Sequence, residues 1–159
     1  MAALLALNDR IAVKPETNMG IRSLRSIVGG GNPVTATTTT TVLEAALLMK
    51  KTGKGALLVV EGSRLVGSFT ERDALFRVIA AGRDPTMTRM AEVMTAHPQT
   101  IHPDEPFLHA MRLMHKGGFR HLPVVEHERP LGVVSARDAL DDDLYELRVD
   151  LSQREDMRD

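Results

Sequence analysis

The chain contains one stretch of sequence twice, 65 positions apart. When residues 33–75 are laid over residues 98–140 without a gap, 18 of the 43 positions are identical. A fixed offset of this quality indicates an internal duplication, and a repeat of this length is one supersecondary unit that cannot close a hydrophobic core by itself. The sequence therefore predicts two copies of one small fold that pack against each other.

Each copy shows the same succession of periodicities. Apolar residues at helical spacing from Val42 and from Phe107 predict an amphipathic helix that ends before Gly53 in one copy and before Gly118 in the other. A short strand precedes this helix, two β-branched runs joined by a tight turn follow it, and a second helix closes the copy. Each copy is therefore a β-α-β-β-α unit, and the fold class is a mixed α+β fold with pseudo-twofold symmetry.

The repeats also set the expected boundaries. We expect an N-terminal extension over residues 1–19, a first unit over 20–82, a second unit over 83–145 and an acidic helical tail over 146–159. The opening residues lack the basic and long apolar segments of a secretory signal, and no run of 18 apolar residues occurs. These features predict a cytoplasmic protein without a membrane partner.

Composition argues against several kinds of site. The formal net charge is −1 and only 3% of the residues are aromatic, so we predict no nucleic-acid partner. The absence of cysteine excludes disulfides, thiolate nucleophiles and cysteine-ligated zinc. No serine–histidine–aspartate, paired-carboxylate or metal-and-base arrangement can be assembled from the sequence. We therefore expect a protein that is not an enzyme and has no catalytic cofactor.

Two hydroxyl-x-x-aspartate motifs stand at the predicted strand-to-helix junctions, Thr70 with Asp73 and Ser135 with Asp138. A hydroxyl N-cap with an acid three residues later is a capping box, which would explain either motif without any ligand. Such junctions are also where open α/β units gather ligands, and a carboxylate there offers two acceptor oxygens to the vicinal hydroxyls of a ribose. Both interpretations stay open on the sequence.

One compact cationic pair, Arg120 and His121, directly precedes a strand of the second unit. The forked, permanently charged guanidinium is suited to a phosphate, although a solvated surface arginine is the simpler alternative. The first unit has Lys-Gly-Ala at the matching positions 54–56. We therefore expect the site of Asp73 to hold anions less well than the site of Asp138.

All six histidines fall in the second half of the chain, which raises the hypothesis of a metal site. None stands in a His-Glu-x-x-His motif or beside a cysteine, and the two on the predicted helix point to different sides of it. Surface and site-edge roles suffice, and we predict no metal. The histidines are His97, His102, His109, His115, His121 and His127.

Taken together, these motifs resemble a tandem pair of cystathionine-β-synthase (CBS) domains, the Bateman module, in its small stand-alone bacterial form. The resemblance covers roughly residues 20–145 and is carried by the doubled Gly-x-x-[Ser/Thr]-x-x-Asp segments at 67–73 and 132–138, the GFRHLPVV strand entry and the VMTAHPQTI link. It implies two clefts between the units that bind AMP, ADP, ATP or S-adenosylmethionine. It also implies a flat homodimer with a regulatory, energy-sensing role toward a further protein that the sequence does not identify.

Carried over by position, the resemblance implies roles for nine residues. The aspartates would hold ribose, the hydroxyl residues would contact sugar or phosphate, and the Arg-His pair would face the phosphates of the second aspartate's site. The opening strand of each unit would line the adenine pocket of the other unit's cleft. The nine residues are Thr35, Thr70, Asp73, Thr100, Ile101, Arg120, His121, Ser135 and Asp138. The alternative interpretation is a ligand-free module for protein–protein interaction or dimerisation.

Overall fold

The structure is a computed structural model that describes residues 22–138 of the 159-residue chain. The predicted N-terminal extension, the acidic tail and most of the predicted closing helix of the second unit lie outside the described residues. In chain order the elements are α1 (Leu24–Val28), β1 (Thr35–Ala36), α2 (Val42–Thr52), β2 (Ala56–Glu61), β3 (Arg64–Thr70), α3 (Glu71–Asp73), a π-helical segment (Ala74–Ile79), α4 (Met90–Val93), β4 (Thr95–Ala96), α5 (Phe107–Gly117), β5 (His121–Glu126) and β6 (Arg129–Ser135). None of these helices is long and apolar enough to cross a membrane.

The long helix of each unit begins and ends where the sequence predicts. Thr41 caps α2: its hydroxyl accepts from the Glu44 N–H at 3.3 Å, and the Glu44 carboxylate accepts from the Thr41 N–H at 2.8 Å. This reciprocal pair satisfies two backbone donors that the first helical turn leaves free. Gly53 ends α2 at φ +65° and Gly118 ends α5 at φ +69°, a left-handed conformation that favours glycine.

The strands form two sheets of the same design, which confirms the predicted mixed α+β class. The first sheet has the order β1-β2-β3-β4, with β1 parallel to β2 and the other neighbours antiparallel. The second pairs β5 with β6 antiparallel, and Ile101 adds a parallel bridge to Val124, just as β1 pairs with β2. Each hairpin shifts register at the same place, after Val59 in one unit and after Val124 in the other. The duplication in sequence is therefore a duplication in structure.

Each unit has its own hydrophobic core. In the first, buried residues of β2 and β3 pack with the inner face of α2, and Phe69 is fully buried among them. In the second, β5 and β6 pack with α5, and Leu122, Val124 and Val134 are fully buried. The burial of apolar surface is the main favourable contribution to folding, so the two cores set where the sheet edges, and hence the junction motifs, lie.

Each core is completed by the short helix that precedes the other unit. Helix α1 comes before the first unit in the chain, yet Leu24 is fully buried in the second core, with Ile27 and Val28 packed against that core. Helix α4 comes before the second unit, yet Met90 and Val93 are buried in the first core. The two leading helices are therefore exchanged between the units.

The backbone contacts of the two exchanged helices are equivalent. The Leu24 N–H donates to the Glu105 carbonyl at 3.0 Å, and the Met90 N–H donates to the Thr40 carbonyl at 2.8 Å. These donors lie 66 positions apart, so an alignment at the 65-residue offset does not reveal the relationship. The predicted unit boundaries assign each helix to the unit that follows it, whereas its contacts lie in the other unit.

Two equivalent glycines allow the exchanged helices to approach the sheets. A Cβ on Gly132 of β6 would lie 2.8 Å from the Cβ of Val28 in α1. A Cβ on Gly67 of β3 would overlap the sulfur of Met94, directly after α4. Cβ atoms do not come so close to other heavy atoms, so a side chain at Gly132 would displace α1, and one at Gly67 would force the side chain of Met94 to move.

The closing helix of the first unit departs from the expected α-helix. After α3 the chain is wound as a π-helix over Ala74–Ile79, with the Ala80 N–H donating to the Leu75 carbonyl at 2.9 Å. Apolar periodicity over so few residues does not separate this wider winding from an α-helix, and π-helical turns are frequent at functional sites.

Candidate functional site

Two cavities lie between the units, one at each strand-to-helix junction. The Asp73 cleft, named for the acid at its junction, has a volume of about 730 Å³, and the Asp138 cleft has a volume of about 720 Å³. The first is lined by Thr70, Glu71, Asp73, Gln99, Phe119 and Arg120, among others. The second is lined by residues that include Lys54, Gly55, Arg120, Ser135, Arg137 and Asp138. Both volumes suit a small-molecule ligand, for which sites measure about 300 to 1,000 Å³.

The Thr70–Asp73 motif forms the predicted capping box. The Thr70 N–H and hydroxyl both donate to Asp73 Oδ2, at 2.9 and 3.0 Å, and the Asp73 N–H donates to the Thr70 hydroxyl at 3.3 Å. The other carboxylate oxygen, Oδ1, lies 3.5 Å from Arg77 Nε, and the side chain of Asp73 is only 15% exposed. One Asp73 oxygen is thus used by the cap and the other faces an arginine.

The Ser135–Asp138 motif is held more loosely. Asp138 Oδ2 accepts from the Ser135 N–H at 2.5 Å, and within residues 22–138 no other group donates a hydrogen bond to this carboxylate. Asp138 is half-buried at the edge of its cleft. Of the two aspartates, Asp138 therefore has the freer acceptor oxygens for a ligand.

The segment that follows the long helix of each unit lines the cleft of the other unit's junction aspartate. Gly118, Phe119 and Arg120 of the second unit line the Asp73 cleft, and Lys54 of the first unit lines the Asp138 cleft. This arrangement corrects the sequence-based expectation that Lys54-Gly55-Ala56 belongs to the Asp73 site. The physical reason is that each cavity lies between the units, so each is closed by the segment after the long helix of the opposite unit.

A single group of polar side chains reaches both cavities. Glu71, Arg120 and His121 line the Asp73 cleft and the Asp138 cleft alike. The sequence predicts Arg120 and His121 beside the Asp138 site. In the structure they line the Asp138 cleft and the Asp73 cleft as well. Burial lowers the pKa of His121 from its ordinary value, as does Arg120, whereas the carboxylates of Glu71 and Asp138 oppose the shift.

Replacing His121 by glutamine is expected to flatten the loss of stability in mild acid. Burial lowers the pKa of His121 in the folded chain below 6.5, so the unfolded chain binds more protons than the folded one between these two pKa values. The free energy of unfolding therefore falls as pH decreases from about 6.5 toward the folded-state pKa. Urea denaturation at about pH 7.5 and 5.5 should show a smaller difference for His121→Gln than for the wild type.

The control for this experiment is His115→Gln, which replaces an exposed imidazole on α5 by the same amide. If the free energy of unfolding changed equally with pH in the wild type and in His121→Gln, His121 would not be a source of the acid sensitivity.

Three of the nine predicted site residues do not line either cavity. Thr35 pairs with Leu58 at the edge of the first sheet, and Thr100 is exposed. The side chain of Ile101 is buried in the second core, its N–H donates to the Pro123 carbonyl and its carbonyl accepts from the Val125 N–H. The remaining six, Thr70, Asp73, Arg120, His121, Ser135 and Asp138, all line a cleft.

Several lining residues were not singled out from the sequence. Pro98 and Gln99 directly precede Thr100 in the chain. They line the Asp73 cleft, whereas Thr100 does not. Glu71 and Phe119 were also missed. The pseudo-twofold relation between the units could have identified these residues. A residue beside a junction motif or after the glycine that ends a long helix has an equivalent in the other unit, so a site in one cleft predicts its counterpart in the other.

A cluster of possible metal ligands lies away from both clefts. One ligand atom from each of His102, Asp104 and Glu126 falls within 4.8 Å of the others. Arg25 of α1 donates to both carboxylates, to Asp104 Oδ1 at 3.0 Å and to Glu126 Oε1 at 2.7 Å. These contacts lower the pKa of both acids. The guanidinium already serves as the cation of this cluster and fastens α1 to the second unit.

Comparisons with family models, curated proteins and solved structures all match the chain to the same family. A model of the CBS domain matches residues 27–80 and 90–144. The mitochondrial CBS domain-containing protein CBSX3 of Arabidopsis thaliana is 34% identical over 110 residues, 66% of this chain and 53% of that protein. The chain thus spans about half the length of this curated relative.

Two similar solved structures contain ligands. The CBS domain pair of protein MJ0100, in complex with 5′-methylthioadenosine and S-adenosyl-L-methionine, is 28% identical with a TM-score of 0.67, over 74% of this chain and 96% of that one. A CBS domain protein from Pyrobaculum aerophilum, complexed with AMP, is 26% identical with a TM-score of 0.65, over 71% of this chain and 87% of that one.

Proposed function

The chain belongs to the CBS domain family and carries two such domains in tandem, and we propose that it is a non-enzymatic regulatory module that binds adenosine-containing ligands in its two clefts. The observation that carries the proposal is the pairing, in each cleft, of a junction aspartate from one unit with a cationic segment from the other. Similar CBS pairs are found in complex with AMP and with S-adenosyl-L-methionine. AMP, ADP, ATP and S-adenosylmethionine are therefore the candidate ligands.

The chemistry of the clefts is suited to the three parts of a nucleotide. Asp138 offers a carboxylate to the ribose hydroxyls, because only the Ser135 N–H competes for it within the described residues. Arg120 offers a guanidinium that matches a phosphate in geometry and charge. For the base, Ala56 and Val133 give the Asp138 cleft an apolar surface, and Phe119 and Pro98 do so in the Asp73 cleft, which Arg120 also lines.

The charged residues indicate different preferences in the two clefts. Three cations, Lys54, Arg120 and Arg137, line the Asp138 cleft against the two carboxylates of Glu71 and Asp138. The Asp73 cleft has two cations and two carboxylates, and its Arg72 lies over the Phe76 ring at 5.3 Å from the centroid. On this balance of charge the Asp138 cleft is the better site for a di- or triphosphate, and Lys54 contributes to it from the other unit.

A thermal-shift panel tests whether the clefts bind adenosine ligands. A ligand present at about 100 times its dissociation constant should add about 2.7 kcal/mol to the free energy of unfolding, which for a chain of this size raises Tm by about 5 to 10 °C. We expect this rise for at least one of AMP, ADP, ATP and S-adenosylmethionine, and a much smaller one for UMP, which keeps the ribose phosphate but lacks adenine.

Melting curves that stay flat with all four adenosine compounds would favour the second candidate, a ligand-free interaction or dimerisation module. Exposed apolar side chains support an interaction role: Leu43 is 42% and Leu47 55% exposed on α2, and Leu108, at the equivalent position of α5, is 45% exposed. An apolar face of this kind on two helices is typical of an interface. We include a homodimer in the proposal, and sedimentation of the purified protein as a single chain would contradict that part.

A further inference from the structure

One wall of side chains separates the two clefts and belongs to both. Glu71, Arg120 and His121 border each cavity. Gly55 closes against this wall: a Cβ there would lie 3.1 Å from Glu71 Oε2 and 3.4 Å from His121 Nε2. The wall is therefore tightly packed on the side of the first unit.

This wall breaks the symmetry of the duplication. The backbone around it is equivalent in the two units, because the Glu71 N–H donates to the Gly55 carbonyl at 3.0 Å as the Ala136 N–H donates to the Arg120 carbonyl at 3.1 Å. The side chains are not equivalent: at a 65-residue offset, Glu71, Arg120 and His121 correspond to Ala136, Gly55 and Ala56. Small residues on one side make room for large polar ones on the other, so the polar group exists once and serves two cavities.

The two clefts depend on this group to different degrees. The Asp138 cleft has two further cations, Lys54 and Arg137. The only other cation lining the Asp73 cleft within the described residues is Arg72, which is stacked on Phe76. An anion in the Asp73 cleft therefore relies on the shared Arg120 more than an anion in the Asp138 cleft does.

Building on the proposed function, we propose that the shared wall couples the two clefts negatively for anionic nucleotides. A guanidinium makes its bidentate contact with one phosphate at a time. A nucleotide phosphate in one cleft draws Arg120 to that side, so the other cleft keeps the carboxylate of Glu71 but loses a cation from its lining. A second phosphate then meets a more negative site, and by linkage the effect is the same whichever cleft fills first.

Calorimetric titration with AMP separates this coupling from a simple difference between the clefts. The Asp138 cleft has more cations and should fill first in the wild type, so that the second step reports on the Asp73 cleft with its neighbour occupied. The variant Asp138→Ala reports on the Asp73 cleft with its neighbour empty. We expect AMP to bind the Asp73 cleft at least about fivefold more tightly in Asp138→Ala than in the second wild-type step, within the usual range of couplings.

Arg120→Ala, made in both backgrounds, should abolish the fivefold difference while weakening binding to each cleft. Arg137→Ala is the matched control: it removes the same kind of side chain from the Asp138 cleft alone, and should weaken the first step without changing the affinity of the second. A wild type that binds one AMP while Arg120→Ala binds two would be the extreme form of the same coupling.

The outcomes distinguish this inference from the proposed function on which it rests. Equal affinity of the Asp73 cleft in the wild type and in Asp138→Ala would overturn the coupling and leave nucleotide binding intact. Coupling that persists in Arg120→Ala, or a single AMP site in both the wild type and Arg120→Ala, would overturn the role of Arg120. The absence of binding by every protein would overturn the proposed function and the coupling with it.

Discussion

Leu24→Ala is expected to lower the free energy of unfolding by about 2 to 5 kcal/mol, the usual cost of truncating a fully buried leucine. Leu24 is 0% exposed and lies in the second core, although it precedes the first unit in the chain. A short helix such as α1 does not collapse readily onto the space left behind, since its backbone is bonded to the second unit at Glu105 and Pro103. Urea denaturation of the wild type and the variant measures the loss.

The matched control is Leu75→Ala, the same truncation at a position that is 51% exposed in the π-helical segment. It should change the stability by about 0.5 kcal/mol or less, as surface substitutions usually do. Both variants should be measured without ligand, because Leu75 lines the Asp73 cleft. Equal effects of the two substitutions would mean that α1 is not part of the second core.

The exchange of helices shows which parts of this fold are readable from the sequence. The start of α2 at Val42, the glycine ends of the long helices and the paired hairpins depend on residues a few positions apart, and the sequence predicts all of them. The position of α1 depends on Leu24 meeting residues about 80 to 110 positions away. No local pattern carries that information, and the 66-residue spacing hides the relation of α1 to α4.

The candidate site shows the same difference between local features, which the sequence predicts, and long-range contacts, which it does not. The junction motifs of Asp73 and Asp138 are local patterns, and each lines a cleft. The assignment of Lys54 to one cleft required knowledge of how the units face each other, and the sequence-based placement was wrong for that reason. Thr100 and Ile101 are adjacent in sequence to a lining residue, Gln99. Thr100 is exposed, and the pairing of Ile101 with Val124 directs its side chain into the second core. Such alternation along an extended segment is decided by tertiary packing.

Asp138→Ala is expected to weaken binding of an adenosine nucleotide to the Asp138 cleft by at least about a hundredfold. Two hydrogen bonds from ribose hydroxyls to a charged acceptor contribute about 1.5 to 3 kcal/mol each, and 1.4 kcal/mol corresponds to a factor of ten in affinity. Calorimetric titration with ATP, which suits the more cationic cleft, should show the loss of the tighter step. Asp138→Asn, which keeps one acceptor oxygen but no charge, should fall between the wild type and alanine.

The same substitution also removes the cap on the Ser135 N–H, so the stability of each variant must be measured beside its affinity. Asp84→Ala provides the reference for that loss: Asp84 Oδ1 accepts from the Thr86 N–H at 2.8 Å and from the Thr86 hydroxyl at 2.7 Å, outside both clefts. If Asp138→Ala and Asp84→Ala both lost a little stability and neither lost affinity, Asp138 would be a helix cap and nothing more. A loss of affinity confined to Asp138→Ala would instead assign its carboxylate to the ligand, because both substitutions remove a local backbone hydrogen bond and only Asp138 lines a cleft.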